Sequence, residues 1–138
     1  MASLIFNSCL EDAAKGAIDF DTDTFKTLLV TSGYTPNKDT HDRRDDVTNE
    51  VANGNGYTTG GATTACTVAK DTANDRITLT FAAASWPTST ITASAAVIYK
   101  STGTASADPL VAYVDFGGAV SSTGGTFSVS ASVITLQN

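Results

Sequence analysis

The second half of the chain alternates. Phe127-Ser128-Val129-Ser130-Ala131-Ser132-Val133 runs apolar, polar, apolar, polar. A period of two places Phe127, Val129, Ala131 and Val133 on one face of a strand and the serines on the other. The same period recurs upstream. Residues 76–81 carry Ile77, Leu79 and Phe81 on one side, with Thr78 and Thr80 opposite. Residues 63–69 and 76–81 flank a polar turn at 70–75 and are predicted to pair as a hairpin. Residues 91–100 bring Ala93, Ala95, Val97 and Tyr99 together, and residues 110–116 do so for Leu110, Ala112, Val114 and Phe116. Residues 25–31 hold a continuous apolar run, Leu28-Leu29-Val30, which predicts a strand buried on both faces. Residues 85–87 break the pattern, and Gly117-Gly118 and Gly124-Gly125 punctuate it. In the closing segment, 126–136, Val133 and Ile134 are both apolar, a phase change that calls for a bulge or for burial of both faces.

One segment has helical spacing instead. Ser8 and Glu11 match a capping box, Leu10, Ala13, Ala14 and Ala17 follow on one side, and Gly16 is placed to end the turn. This predicts a short helix over residues 9–15. Seven or eight short strands after one short N-terminal helix predict an all-β fold: an antiparallel β-sandwich, jelly-roll-like, in a single domain over residues 1–138. Residues 1–24 read as an N-terminal arm with the helix. Residues 39–61 read as a charged and then Gly-rich loop region, with Tyr57 in a flexible stretch.

Composition changes the picture in one respect. Charged residues make up only 16 % of the chain and hydrophobic residues 41 %, so polarity rests on Thr and Ser, roughly a quarter of all positions. Thr is β-branched and favours strands. The formal net charge of −6 disfavours nucleic acid and anionic membrane surfaces as partners. Arg43-Arg44 lies among Asp39, Asp42, Asp45 and Asp46 and reads as locally neutralised. Met1 to Phe6 has no basic region or long apolar stretch, unlike a signal peptide, and no apolar run has the length of a membrane span. Cys9 and Cys66 read as small buried thiols, with a bridge between them as the alternative.

Candidate chemistry is thin. Asp19, Asp21 and Asp23 resemble the opening of a calcium loop, but the sixth position is Thr24, not Gly, and the twelfth is Val30, not Glu. A solvated turn is the simpler reading. His41 is the only histidine; a surface His forming ion pairs is favoured over a metal ligand. None of the thirteen serines lies in a nucleophile elbow, and no phosphate-binding Gly-rich loop is present. Trp86, beside Pro87, is either a core anchor or a sugar-stacking platform. No catalytic residue, metal or cofactor is assigned, and the chain is read as a non-enzyme.

A family resemblance adds more than composition does. It is carried by Thr31-Ser32-Gly33-Tyr34-Thr35-Pro36-Asn37, by Asp39-Thr40-His41-Asp42, and by Asp45-Asp46-Val47-Thr48-Asn49-Glu50-Val51. It continues through Gly56-Tyr57-Thr58-Thr59-Gly60-Gly61-Ala62, Ala96-Val97-Ile98-Tyr99-Lys100, and residues 110–117. Across roughly residues 20–117 the chain resembles small structural, head- or cement-like proteins of tailed bacteriophages. The resemblance implies a virion component that bridges major capsid protein subunits, assembled in the host cytoplasm and acting as a homo-oligomer. Tail, head–tail connector or fibre roles are alternatives within that class; a carbohydrate-binding module using Trp86 and the acidic loop, with or without calcium, is the rival outside it. The expected partner contacts are His41, Arg43, Arg44, Asp45, Asp46 and Tyr57. Arg43 and Arg44 stand where the pattern usually has an aromatic or apolar residue, a change expected to alter a contact with a neighbouring subunit.

Overall fold

The computed structural model describes residues 2–138. In chain order the elements are β1 (Leu4–Ile5), α1 (Asn7–Ala14), β2 (Phe25–Val30), β3 (Ala62–Thr64), β4 (Cys66–Asp71), β5 (Arg76–Phe81), β6 (Ala84–Ser89), β7 (Thr92–Lys100), β8 (Leu110–Ser121), β9 (Gly125–Val129) and β10 (Ser132–Gln137). Every strand pairing is antiparallel. A central sheet runs β1-β8-β7-β2-β3, and the second layer holds β10-β5-β4 and β6-β9. The described residues form an all-β sandwich with one short α-helix. This strand order does not establish jelly-roll connectivity.

The apolar run Leu28-Leu29-Val30 explains why the central sheet is dry on both faces. Leu28 and Val30 join Phe6, Tyr34, Val97 and Tyr99 on one side. Leu29 and Ala96 point the other way, toward Trp86, Phe127 and Val129 of the β6-β9 layer. Phe25 and Ile98 meet Leu79, Phe81 and Ile134 of the β10-β5-β4 layer. Each fully buried Leu or Val contributes about 1.5–3 kcal/mol of hydrophobic stabilisation. The face opposite the second layer is roofed by the segment after β2, through Tyr34 and the partly buried Val47.

The helix begins two residues earlier than predicted, and the capping box does not form. Phe6 is the N-cap. Its amide donates to Val111 O at 3.1 Å and the Asn7 amide to Lys38 O at 3.0 Å, so β8 and the loop after β2 fix the helix start. Ser8 Oγ donates to His41 O instead of capping. The C-terminus ends as expected. Gly16, at φ 77°, lets its own amide reach Ala13 O and the Ala17 amide reach Asp12 O, a Schellman closure.

Four strand boundaries differ from the pattern. Residues 85–87 belong to β6, because Pro87 falls in a register shift between Trp86 and Ser89 where no ladder amide is required. β8 continues through Gly117-Gly118. Ala93 faces Val120 while Ala95 faces Asp115, so Ser94 alone is opposed by residues 116–119, and the two glycines lie in an enlarged bulge and not at a strand end. The closing alternation is two strands. β9 pairs with β6, and β10 pairs with β5. The change of partner at Ser130-Ala131 reverses the phase, so Phe127 and Val129 are buried, Val133 is exposed and Ile134 is buried. The β4–β5 hairpin forms, but the expected strand over 63–69 is divided: Thr63 and Thr64 belong to β3 and pair with β2, and β4 runs on through Lys70 and Asp71. Cys9 and Cys66 are free thiols.

Candidate partner-contact region

The charged loop is held against the central sheet by a set of polar ties. Its far end, residues 49–51, runs beside β2. Thr31 N donates to Asn49 O and Val51 N to Leu29 O, both at 2.9 Å. This continues the position of β3 along the same edge, so the loop is registered on the sheet at both ends.

Arg44 makes the deepest tie. Its Nε donates to Asp108 Oδ2 at 2.8 Å, and the guanidinium carbon lies 5.2 Å from the centre of the Tyr99 ring. The Asp108 side chain is 1 % exposed. Its second oxygen accepts from the amide and the hydroxyl of Thr102, each at 2.6 Å. Burial works to raise the Asp108 carboxyl, but the hydrogen bonds from Thr102 and Arg44 outweigh it and hold the group below the ordinary carboxylate value.

Arg43 reaches the other way. Its two terminal nitrogens donate to the two Asp12 oxygens at 2.9 and 3.4 Å, fastening the loop to the helix. Asp46 Oδ2 accepts the amides of Asp42 at 2.9 Å and Arg43 at 3.2 Å. The Asp42 amide is the main reason its carboxyl is held below the ordinary value.

His41 is also turned inward. The Asn37 amide, which can only donate, lies 3.3 Å from Nδ1, so Nδ1 is the lone-pair nitrogen and the Tyr34 hydroxyl donates to it at 2.9 Å. The two rings stack at 5.7 Å. Burial raises the Tyr34 hydroxyl to about 12, so it stays a donor at neutral pH.

Tyr57 corrects an expectation directly. It is 2 % exposed and offers no surface to a partner. Its hydroxyl donates to Glu50 Oε1 at 2.7 Å and accepts the Leu29 amide at 3.1 Å. The same Glu50 oxygen accepts the Gly60 amide at 2.6 Å, and Tyr99 donates its hydroxyl to Gly60 O at 2.5 Å. The Gly-rich stretch is therefore pinned to the sheet by two tyrosines. At Gly61 a Cβ would lie 1.9 Å from Thr27 O, which is why glycine is required there.

Of the six residues expected to touch a partner, five hold the protein's own fold together. Asp45 alone is exposed. The structure brings in Asp12 and Asp108, which nothing in the sequence singles out, and Glu50, which the sequence offers only as part of the resemblance motif. Trp86 packs 6.2 Å from Phe127 and 5.8 Å from Tyr57 and is 5 % exposed, so its ring faces are closed to a sugar. Asp19 Oδ1 accepts the Asp21 amide, and Asp23 Oδ2 accepts the Asp19 amide and pairs with Lys100. Among the described residues no group of three or more His, Cys, Asp or Glu side chains could hold a metal ion. No helix among them is long and apolar enough to cross a membrane.

The exposed apolar side chains lie elsewhere. Val133 is 59 % and Leu136 41 % exposed on β10, and Leu10 on α1, Val68 on β4 and Val120 on β8 are exposed as well. Val133 borders a groove of about 500 Å³ shared with Leu4, Ile5, Ala112 and Val114. Leu136 borders a second groove with Val68, Ile77 and Phe20. No protein-family model, curated protein or solved structure matches the chain.

Proposed function

We propose that this chain is a structural component of a tailed-bacteriophage virion, a cement or decoration protein that bridges and stabilises major capsid subunits from the outside of the shell. The observation that carries this reading is the way the resemblance motifs are used. Residues 31–61 are spent on tying a long loop to a double-faced sheet through Arg43, Arg44, Asp46, Glu50 and Tyr57. A body braced in this way presents fixed contact surfaces without a ligand, as a bridging protein must. The net charge of −6 favours a site away from packaged nucleic acid.

The test uses shells assembled without this protein. Purified protein is added, and bound copies per shell and shell melting temperature are measured. Binding in hundreds of copies with a higher melting temperature supports cementing. A dozen or fewer copies would move the protein to a connector or fibre, and no binding would overturn the reading.

A further inference from the structure

β10 is the outer strand of its sheet, and its free edge is unprotected. Two hydrogen bonds fix which of its residues face outward. Ala82 N donates to Ala65 O, and Asn138 N donates to Asp75 O. With the registers Cys66 opposite Phe81 and Gln137 opposite Arg76, these bonds fix the alternation of the antiparallel ladder. Ser132, Ile134 and Leu136 then bond to β5, while the N–H and C=O groups of Val133, Thr135 and Gln137 point away from it.

Natural sheet edges are blunted by charge, proline or bulges. β4, at the opposite edge of this sheet, carries Lys70 and Asp71. β10 reads Ser-Val-Ile-Thr-Leu-Gln, with no charge, proline, glycine or bulge. On a chain of net charge −6, two copies repel across most of their surface but meet no like charge on this strand.

We propose that a second copy of this chain pairs along β10, antiparallel, about a two-fold axis through Thr135. The three outward residues are symmetric about Thr135, so Val133 faces Gln137 of the partner subunit and Thr135 faces its own copy. All six outward backbone groups are then satisfied. On the core side Leu136 meets Ile134 of the partner subunit, extending the buried face across the junction. The groove beside Val133 borders the same edge, where the arriving strand would lie. The two three-stranded sheets become one of six strands.

The inference stands apart from the virion reading, because it is measured on the isolated protein. Sedimentation equilibrium across a concentration series is expected to give a dimer. Thr135→Lys sets two ammonium groups opposite each other at an exposed position, so it should weaken association at least tenfold while leaving circular dichroism and melting temperature in dilute solution unchanged. Thr135→Pro removes only an outward amide and should have the same effect. In the dimer the amides of Val133, Thr135 and Gln137 should gain hydrogen-exchange protection as concentration rises. A wild-type monomer at all concentrations, or a dimer that survives Thr135→Lys with these amides unprotected, would overturn the proposal. Shell binding by the monomeric variant would leave the virion reading standing.

Discussion

Arg44 and Asp108 form an ion pair of 2.8 Å in which the carboxylate is sealed and the guanidinium is one-fifth exposed. The pair closes the charged loop against the connection between β7 and β8. Removing the cation would leave a buried carboxylate with only Thr102 for company. Arg44→Met is expected to cost about 3 kcal/mol or more, because breaking a buried pair strands its partner. Asp108→Asn should cost less, since the amide oxygen can still accept from Thr102. Chemical denaturation of both variants gives the ranking, and equal costs would show that the carboxylate is not stranded.

The same pair sets an acid limit on stability. The folded-state carboxyls of Asp108 and Asp46 lie below their ordinary values. A depressed carboxyl stabilises the fold above its unfolded-state value, near pH 4, and that contribution is lost as pH falls through the folded-state value. Melting temperature should therefore drop below about pH 4. In Asp108→Asn the curve should start lower at neutral pH and fall less steeply in acid. Parallel curves for variant and wild type would mean that Asp108 is not part of the acid transition.

Tyr57 carries the other buried tie. Tyr57→Phe removes a hydroxyl that serves the Glu50 carboxylate and the Leu29 amide together, with little change in packing. The expected loss is about 1–3 kcal/mol, the cost of buried polar groups left without a partner. Hydrogen exchange at Leu29 should accelerate in the same variant. Unchanged exchange there would place the loss elsewhere.

These ties explain which parts of the structure could be read from the sequence. The double burial of β2 was visible in Leu28-Leu29-Val30, and the β4–β5 hairpin in two alternating runs around a polar turn. β6 was not visible, because Trp86-Pro87 reads as a break until a register shift absorbs the proline. The β9–β10 division was hidden for a related reason. Alternation reports which face a side chain takes, not which strand it pairs with, and it runs unbroken through Ser130-Ala131 while the chain changes sheets. The charged loop stood out as a cluster, but its direction did not. Arg43 and Arg44 were surrounded in sequence by nearby aspartates, whereas their partners Asp12 and Asp108 lie 31 and 64 residues away. Such pairs are fixed only by the fold.

Two glycines separate steric need from backbone strain. Gly61, at φ 80°, has Thr27 O in the space a Cβ would fill, with Leu28 Cα at 2.7 Å. Gly54, at φ 115°, has nothing within 4 Å. Gly54→Ala should cost only the left-handed backbone penalty, about 1–2 kcal/mol. Gly61→Ala must in addition push β2 away from the loop, and is expected to leave little folded protein. Comparable melting temperatures for the two variants would show that the contact at Gly61 relaxes freely.

The two thiols should differ in reactivity although neither is activated. Burial, helped by the Asp12 charge, raises Cys9 to about 12; burial, with Asp21, raises Cys66 to about 11. The thiolate is the reacting form, so both should be slow toward a disulfide reagent at pH 8. Cys66 is partly exposed, whereas Cys9 is 1 % exposed between the helix and the second layer. Labelling should give one slow phase assigned to Cys66 and a second, far slower phase at Cys9 that tracks opening of the fold. The Arg43→Ala variant, which removes the charged tie between the helix and the loop, should speed the Cys9 phase and leave the Cys66 phase unchanged. Equal acceleration of both would mean that the helix and the β4–β5 sheet open as one unit.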